Sequence, residues 1–163
     1  MGMTSTDAAA RQLGPLARTV VEFLRTMERL VSDANGAVAP GHWSPLEEFV
    51  AVEEFERLVP EGAFPDDGSG TASDGGPWAS TVMGWPQYRE CFQAWAASSP
   101  RYRNVLRRIA EFPGLVYLEV EEHHIHGDNE TIFNSLSVYE LNEEMKICRI
   151  RVEGADGWLT IPA

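Results

Sequence analysis

The chain is poor in basic residues and in cysteine, and it has no long apolar run. Its 163 residues include 13 Lys or Arg against 25 Asp or Glu, which gives a formal charge of −12. A surface this acidic repels phosphate backbones and anionic headgroups, so neither nucleic acid nor an anionic membrane is an expected partner. The two cysteines, Cys91 and Cys148, lack metal-ligand spacing and cannot build a disulfide framework; they fit a reducing, cytoplasmic setting. No stretch of about 18 apolar residues is available to span a bilayer. Residues 1–7 lack the basic-then-apolar order of a secretory signal. A glycine-rich phosphate loop, a nucleophile motif and an internal repeat are missing too.

What remains is ordinary globular material. A hydrophobic share of 44% with 23% charged residues is too apolar for disorder, and the length fits one domain over residues 1–163. Residues 1–14 are small and polar, a loose lead-in. From Pro15, apolar residues recur at three- and four-residue steps (Leu16, Val20, Phe23 or Leu24, Met27, Val31), which predicts an amphipathic helix ending near Gly36. Ser44-Pro45-Leu46-Glu47 reads as a capping box opening a second helix, with Leu46, Phe49, Val50, Phe55, Leu58 and Val59 as its stripe and Pro60 as its stop. Residues 61–77 hold five glycines, two prolines and three aspartates, which makes them a long flexible loop or lid. A short strand is expected at 80–83. Pro86 opens a third helix carrying Tyr88, Phe92 and Trp95 on one face.

After Pro100 the period changes to two. Strands are expected over 102–111, 115–126, 130–141 and 146–153, with Gly127-Asp128-Asn129 as a three-residue turn. Helices first and an antiparallel meander last define an α+β chain, with three N-terminal helices packed in a curved, mixed, mainly antiparallel sheet. Matching apolar positions pairs Leu118 with Val138, Val120 with Leu136, Glu122 with Asn134 and His124 with Ile132. One face is then apolar at one end and polar at the other, where Glu122, His124, Asn134 and Asp156 gather. The opposite face carries Glu119, Glu121, His123, Ser135, Ser137, Arg149 and Arg151, a solvated surface.

The order of elements, with Gly84-Trp85-Pro86-Gln87-Tyr88 in the third helix and Val138-Tyr139-Glu140-Leu141, Lys146-Ile147 and Asp156 toward the end, resembles the SnoaL-like branch of the nuclear-transport-factor-two-like superfamily. That branch holds polyketide cyclases, ketosteroid isomerase relatives and limonene-epoxide-hydrolase-type enzymes. The resemblance covers roughly residues 15–158 and implies a cone-shaped α+β barrel around an internal pocket. The chain departs from the pattern where Met145 replaces a turn glycine and where residues 61–77 look inserted. Asn134 and Leu136 also stand where the epoxide-hydrolase branch has its Arg-x-Asp pair.

Four residues are therefore expected to carry chemistry: Glu122, His124 and Asp156 as acid/base groups, with Asn134 orienting a substrate or a water. A carboxylate in apolar surroundings is pushed toward neutral pKa, and histidine needs little tuning. The competing reading is a solvated sheet end without chemistry. Tyr88, Phe92, Trp95, Leu118, Val120, Leu136 and Trp158 are the expected substrate-binding wall, although aromatics at helical spacing also serve as plain core. Glu122-x-His124-x-His126 with Asp156 has the composition of a metal set; the expectation is nonetheless that no metal or organic cofactor is needed. The implied function is a cofactor-independent cyclase or isomerase acting on an apolar polyketide- or terpenoid-like molecule. The alternatives are an epoxide-opening enzyme of the same fold and a non-catalytic binding or assembly module. A homodimer is expected through the outward sheet face, with Tyr117, Phe133 and Tyr139 adding apolar area to it.

Overall fold

The structure, a computed structural model, describes residues 13–34, 39, 41–60, 71–72, 80–98, 101–153 and 159–160. Helix α1 spans Pro15–Asp33 and buries Ala17, Val20, Phe23, Leu24, Met27, Leu30 and Val31, the stripe that the periodicity demands. Pro15 fits its first turn because the missing N–H would have no partner there. One of the orphan donors that follow is met from far along the chain: the Ala17 N–H donates to Glu111 Oε2 at 2.8 Å. That carboxylate also complements the positive end of the helix.

The expected second helix does not form. Ser44–Glu48 makes one tight helical turn, and Glu56–Pro60 is strand β1. The reason is an unfilled sheet edge. The Ile147 N–H donates to the Phe49 carbonyl and the Ala51 N–H to the Ile147 carbonyl, which lays residues 49–51 along that edge. β1 then continues in parallel beside it. Ser44 spends its hydroxyl on the Gly41 carbonyl at 2.7 Å rather than on a helix N-terminus. So, among the described residues, two α-helices rather than three precede the meander. Strands β2 (Thr71–Ala72) and β3 (Ser80–Met83) follow, then helix α2 (Trp85–Ser98) and β4 (Arg101–Phe112), β5 (Leu115–His126), β6 (Asn129–Leu141), β7 (Ile147–Glu153) and β8 (Leu159–Thr160).

The sheet runs β2-β3-β1-β7-β6-β5-β4, with β8 also paired to β6. Among the described strand pairs β1–β7 is parallel and the rest antiparallel, so the sheet is mixed and mainly antiparallel. It is curved, as the cone-shaped α+β barrel expected from the resemblance requires, and it is not closed: β2 and β4 end the order. α1 packs against β4, β5 and α2. The core between helices and sheet includes Phe23, Leu46, Trp85, Val116, Leu118, Ile147 and Ile150, all nearly inaccessible.

Two local features set which side chains face that core. The β5–β6 turn has two residues, because His126 pairs with Asn129. Gly127 takes φ 60°, the geometry a two-residue hairpin demands of its first turn residue and one that glycine adopts freely. Leu118 thus pairs with Ser137, Val120 with Ser135, Glu122 with Phe133 and His124 with Thr131. This is a one-residue slip from the expected register, and it inverts β6. Phe133, Ser135, Ser137 and Tyr139 face inward; Asn134 and Leu136 face outward. In β4 the register shifts between Leu106 and Arg108, a bulge that inserts Arg107. Before it Tyr102 and Asn104 share the inner face; after it Ile109 and Glu111 do.

The outer face carries ion pairs. Arg149 meets Glu56 at 2.8 Å and Glu140 at 2.9 Å, and Arg108 meets Glu119 at 3.3 Å. Arg107 pairs with Glu121. His123 lies between Glu121 at 2.7 Å and Glu130 at 2.6 Å.

Candidate active site

The polar end of the inner face is built from neighbouring rungs of β4, β5 and β6. Glu122 is its centre. Ser135 Oγ donates to Glu122 Oε1 at 2.6 Å, and His124 Nε2 lies 3.5 Å from Glu122 Oε2. The carboxylate and imidazole are largely but not wholly covered, with side-chain exposures of 25% and 14%. Aromatic rings bracket the imidazole: Tyr102 at 5.2 Å and Phe133 at 4.8 Å between centroids. Tyr102 donates its hydroxyl to Asn104 Oδ1 at 2.8 Å. Asn104 Nδ2 is buried with no hydrogen-bond partner among the described residues. A buried amide left unmatched costs free energy unless something else accepts its proton.

The aromatic wall comes from α2 and its surroundings. Tyr88 stacks on Phe55 at 5.6 Å and touches Phe92 at 4.3 Å between centroids. Arg57, on β1, sets its guanidinium carbon 5.4 Å from the centre of the Tyr88 ring. Burial raises the phenol pKa of Tyr88, Tyr102 and Tyr139. The Glu122 charge raises all three further, whereas Arg57 draws Tyr88 and Tyr139 back down. The three phenols therefore stay protonated at neutral pH and can donate hydrogen bonds.

Glu122 and His124 thus share the inner face, as their strand alternation requires. Leu118 and Val120 share it too, and both are buried, at 0% and 3% exposure. Tyr88 and Phe92 pack at the helix–sheet junction. Asn134 and Leu136 are corrected: they pair with Glu121 and Glu119 on the outer face, and Leu136 is 40% exposed. Phe133 and Tyr139, expected outside, lie inside; Tyr117 is outside as expected. Asp156 and Trp158, the side chains of Trp95 and His126, and the loop at 61–70 and 73–77 lie outside the described residues. Among the described residues no three His, Cys, Asp or Glu side chains are grouped to hold a metal ion.

Sequence reasoning missed Arg57, Tyr102, Asn104, Ser135 and Tyr139. A two-residue Gly-Asp turn, read as such, would have turned Ser135 and Tyr139 inward. Arg57 was hidden by assigning its strand to a helix.

No family model and no curated protein matches the chain. Solved structures do. A Shewanella putrefaciens CN-32 protein assigned as a SnoaL-like polyketide cyclase superposes with a TM-score of 0.62 at 8% identity, over 94% of this chain and 89% of that one. An NTF2-like protein from Anabaena variabilis ATCC 29413 gives 0.55 at 14% identity, over 90% and 98%. SalBIII, an epoxide hydrolase/cyclase-like enzyme in pyran ring formation in polyether salinomycin, gives 0.50 at 14% identity, over 80% and 86%. The chain has the NTF2-like fold, the fold that these SnoaL-like and epoxide hydrolase/cyclase-like proteins share.

Proposed function

We propose that the protein is an acid/base enzyme acting on an apolar small molecule, by cyclisation, isomerisation or epoxide opening. The observation that carries this reading is the Glu122 carboxylate, held by Ser135 at 2.6 Å and set 3.5 Å from His124 on the inner face of the sheet. Structures with this fold include a protein assigned as a polyketide cyclase and an epoxide hydrolase/cyclase-like enzyme, which favours those reaction types.

Glu122 takes the proton from carbon or from an attacking hydroxyl. Ser135 holds one carboxylate oxygen and so aims the other. Protonated His124 gives a proton to the oxygen that gains charge and recovers one from Glu122, 3.5 Å away, while the Asn104 side-chain amide and the neutral Tyr88 and Tyr139 hydroxyls stabilise that oxygen. Asp156 is kept as a second carboxylate on the strength of the resemblance alone. The substrate is polyketide- or terpenoid-like, since the surrounding side chains are aromatic and aliphatic. Neither a metal nor an organic cofactor enters these steps.

Two probes test the reading without knowledge of the natural substrate: deuterium uptake by 2-tetralone in D₂O, and hydrolysis of styrene oxide. Wild-type protein is expected to accelerate at least one. Glu122→Gln, folded by circular dichroism, is expected to lose about a hundredfold or more of that rate, the usual worth of a general base. Wild-type turnover in Glu122→Gln would remove Glu122 from the mechanism. Inertness of the wild type toward both probes would favour the binding-module alternative.

A further inference from the structure

Among the described residues, the inner face carries a cation, Arg57, that the acid/base reading does not use. Arg57 pairs across β1–β7 with Ile150, which pairs across β6–β7 with Tyr139. Ile150 and Tyr139 are buried in the core, so Arg57 enters the same face as Glu122. Its strand neighbours show the contrast: Glu56 pairs with Arg149 on the outer face. Arg57 has no such carboxylate among the described residues. Its Nη1 reaches the carbonyls of Leu58 at 3.3 Å and Ile150 at 3.5 Å, and the guanidinium also hydrogen-bonds the Tyr88 hydroxyl. Its Nε is buried with no hydrogen-bond partner among the described residues. A half-buried guanidinium against an aromatic ring, with no carboxylate among the described residues to meet it, is costly unless an anion completes it.

Glu122 and Arg57 both act on Tyr88 and Tyr139, with opposite sign. The two tyrosines therefore feel both a negative and a positive pole on this face. A neutral apolar ligand would make no use of the positive one. The guanidinium fork instead matches a carboxylate, by two parallel N–H···O bonds.

We infer that Arg57 is an anion-binding subsite, and that the ligand of this face is an aromatic or terpenoid-like carboxylate, its anionic end on Arg57 and its reacting end toward Glu122. The inference deepens the acid/base reading by naming the charge and orientation of the substrate, and it rests on that reading only for what Glu122 does.

The test is a binding comparison of two nearly isosteric probes at neutral pH, 2-naphthoate and 2-naphthamide, by titration calorimetry. Wild type is expected to prefer naphthoate by about tenfold, as one charge-assisted bidentate pair would give. Arg57→Gln is expected to bind both probes alike, and Arg57→Lys to keep part of the preference. Glu122→Gln is expected to keep or increase it, because that variant removes only the negative pole. Failure of the catalytic reading would leave this result intact. The subsite is overturned if wild type shows no preference for the anion, including by binding neither probe. It is overturned equally if folded Arg57→Gln retains the preference.

Discussion

Glu111 and Gly14 meet where a β4 carboxylate holds the start of α1. A Cβ on Gly14 would stand 2.3 Å from Glu111 Oε2 and 2.5 Å from its carboxyl carbon. The backbone at Gly14, φ −64°, would accept alanine without strain, so the collision is the whole cost. Gly14→Ala should push the carboxylate off the Ala17 N–H, and Glu111→Ala should remove it. Each is expected to lower unfolding free energy by about 1 kcal/mol in urea titrations, the typical worth of a cap. The double variant should cost little more than either, since both lose the same bond; additive losses would refute the shared contact. The buried phenols give a second residue-scale expectation. Tyr88, Tyr102 and Tyr139 ionise above the ordinary value of 10.0 when folded. Their stabilising contribution is complete below that value and is lost as pH rises toward the folded ones, because the unfolded chain gives up those protons first. A tyrosinate absorbance titration should show the three ionising late and together with alkaline unfolding.

At the scale of elements, the β6–β7 turn carries a residue in the wrong conformation for its type. Met145 has φ 59° and is 47% exposed, while the Asn142 side chain ties down the Glu144 and Lys146 amides at 3.1 and 3.0 Å. The left-handed region costs a non-glycine residue about 1–2 kcal/mol, and the entropy of an unfolded glycine offsets part of that. Met145→Gly is therefore expected to stabilise the fold by about 0.5–1 kcal/mol, read from the shift of the denaturation midpoint. The same contrast between local and distant causes governs what was legible in the sequence. α1, α2, β3 and the meander follow from their own period and their own breakers. β1 does not: Leu46, Phe49, Val50 and Phe55 fit a helical stripe, and only the vacant edge of β7, far away in sequence, extends the chain there. Glu122 and His124 were legible because alternation along β5 suffices to place them together. Asn134 and Leu136 failed because their facing depended on one residue in a turn, and Arg57 is not legible because the residues around it fit a helical stripe.

For the molecule as a whole, the convex face is the place to look for self-association. Phe112, Pro113, Leu115 and Tyr117 line a shallow hollow there, and exposed Leu136 stands diagonally across the β5–β6 ladder from Tyr117. Paired charges of both signs on the same face suit contact with a second copy, in which each meets its opposite. Light scattering is expected to give about twice the chain mass of 18.1 kDa at micromolar concentration, and Leu136→Glu to halve it without disturbing the concave site. A monomeric wild type would refute this. The Arg107 bulge, finally, gives β4 something like a reading frame. A strand spelled two residues at a time has two settings, and one extra residue switches between them. Tyr102 and Asn104 are read in one setting, Glu111 in the other. Deleting any single residue between Asn104 and Ile109 would leave one setting for the whole strand. Either the helix would lose its carboxylate or the site would lose its Tyr–Asn pair, whereas substituting Arg107 would leave both in place.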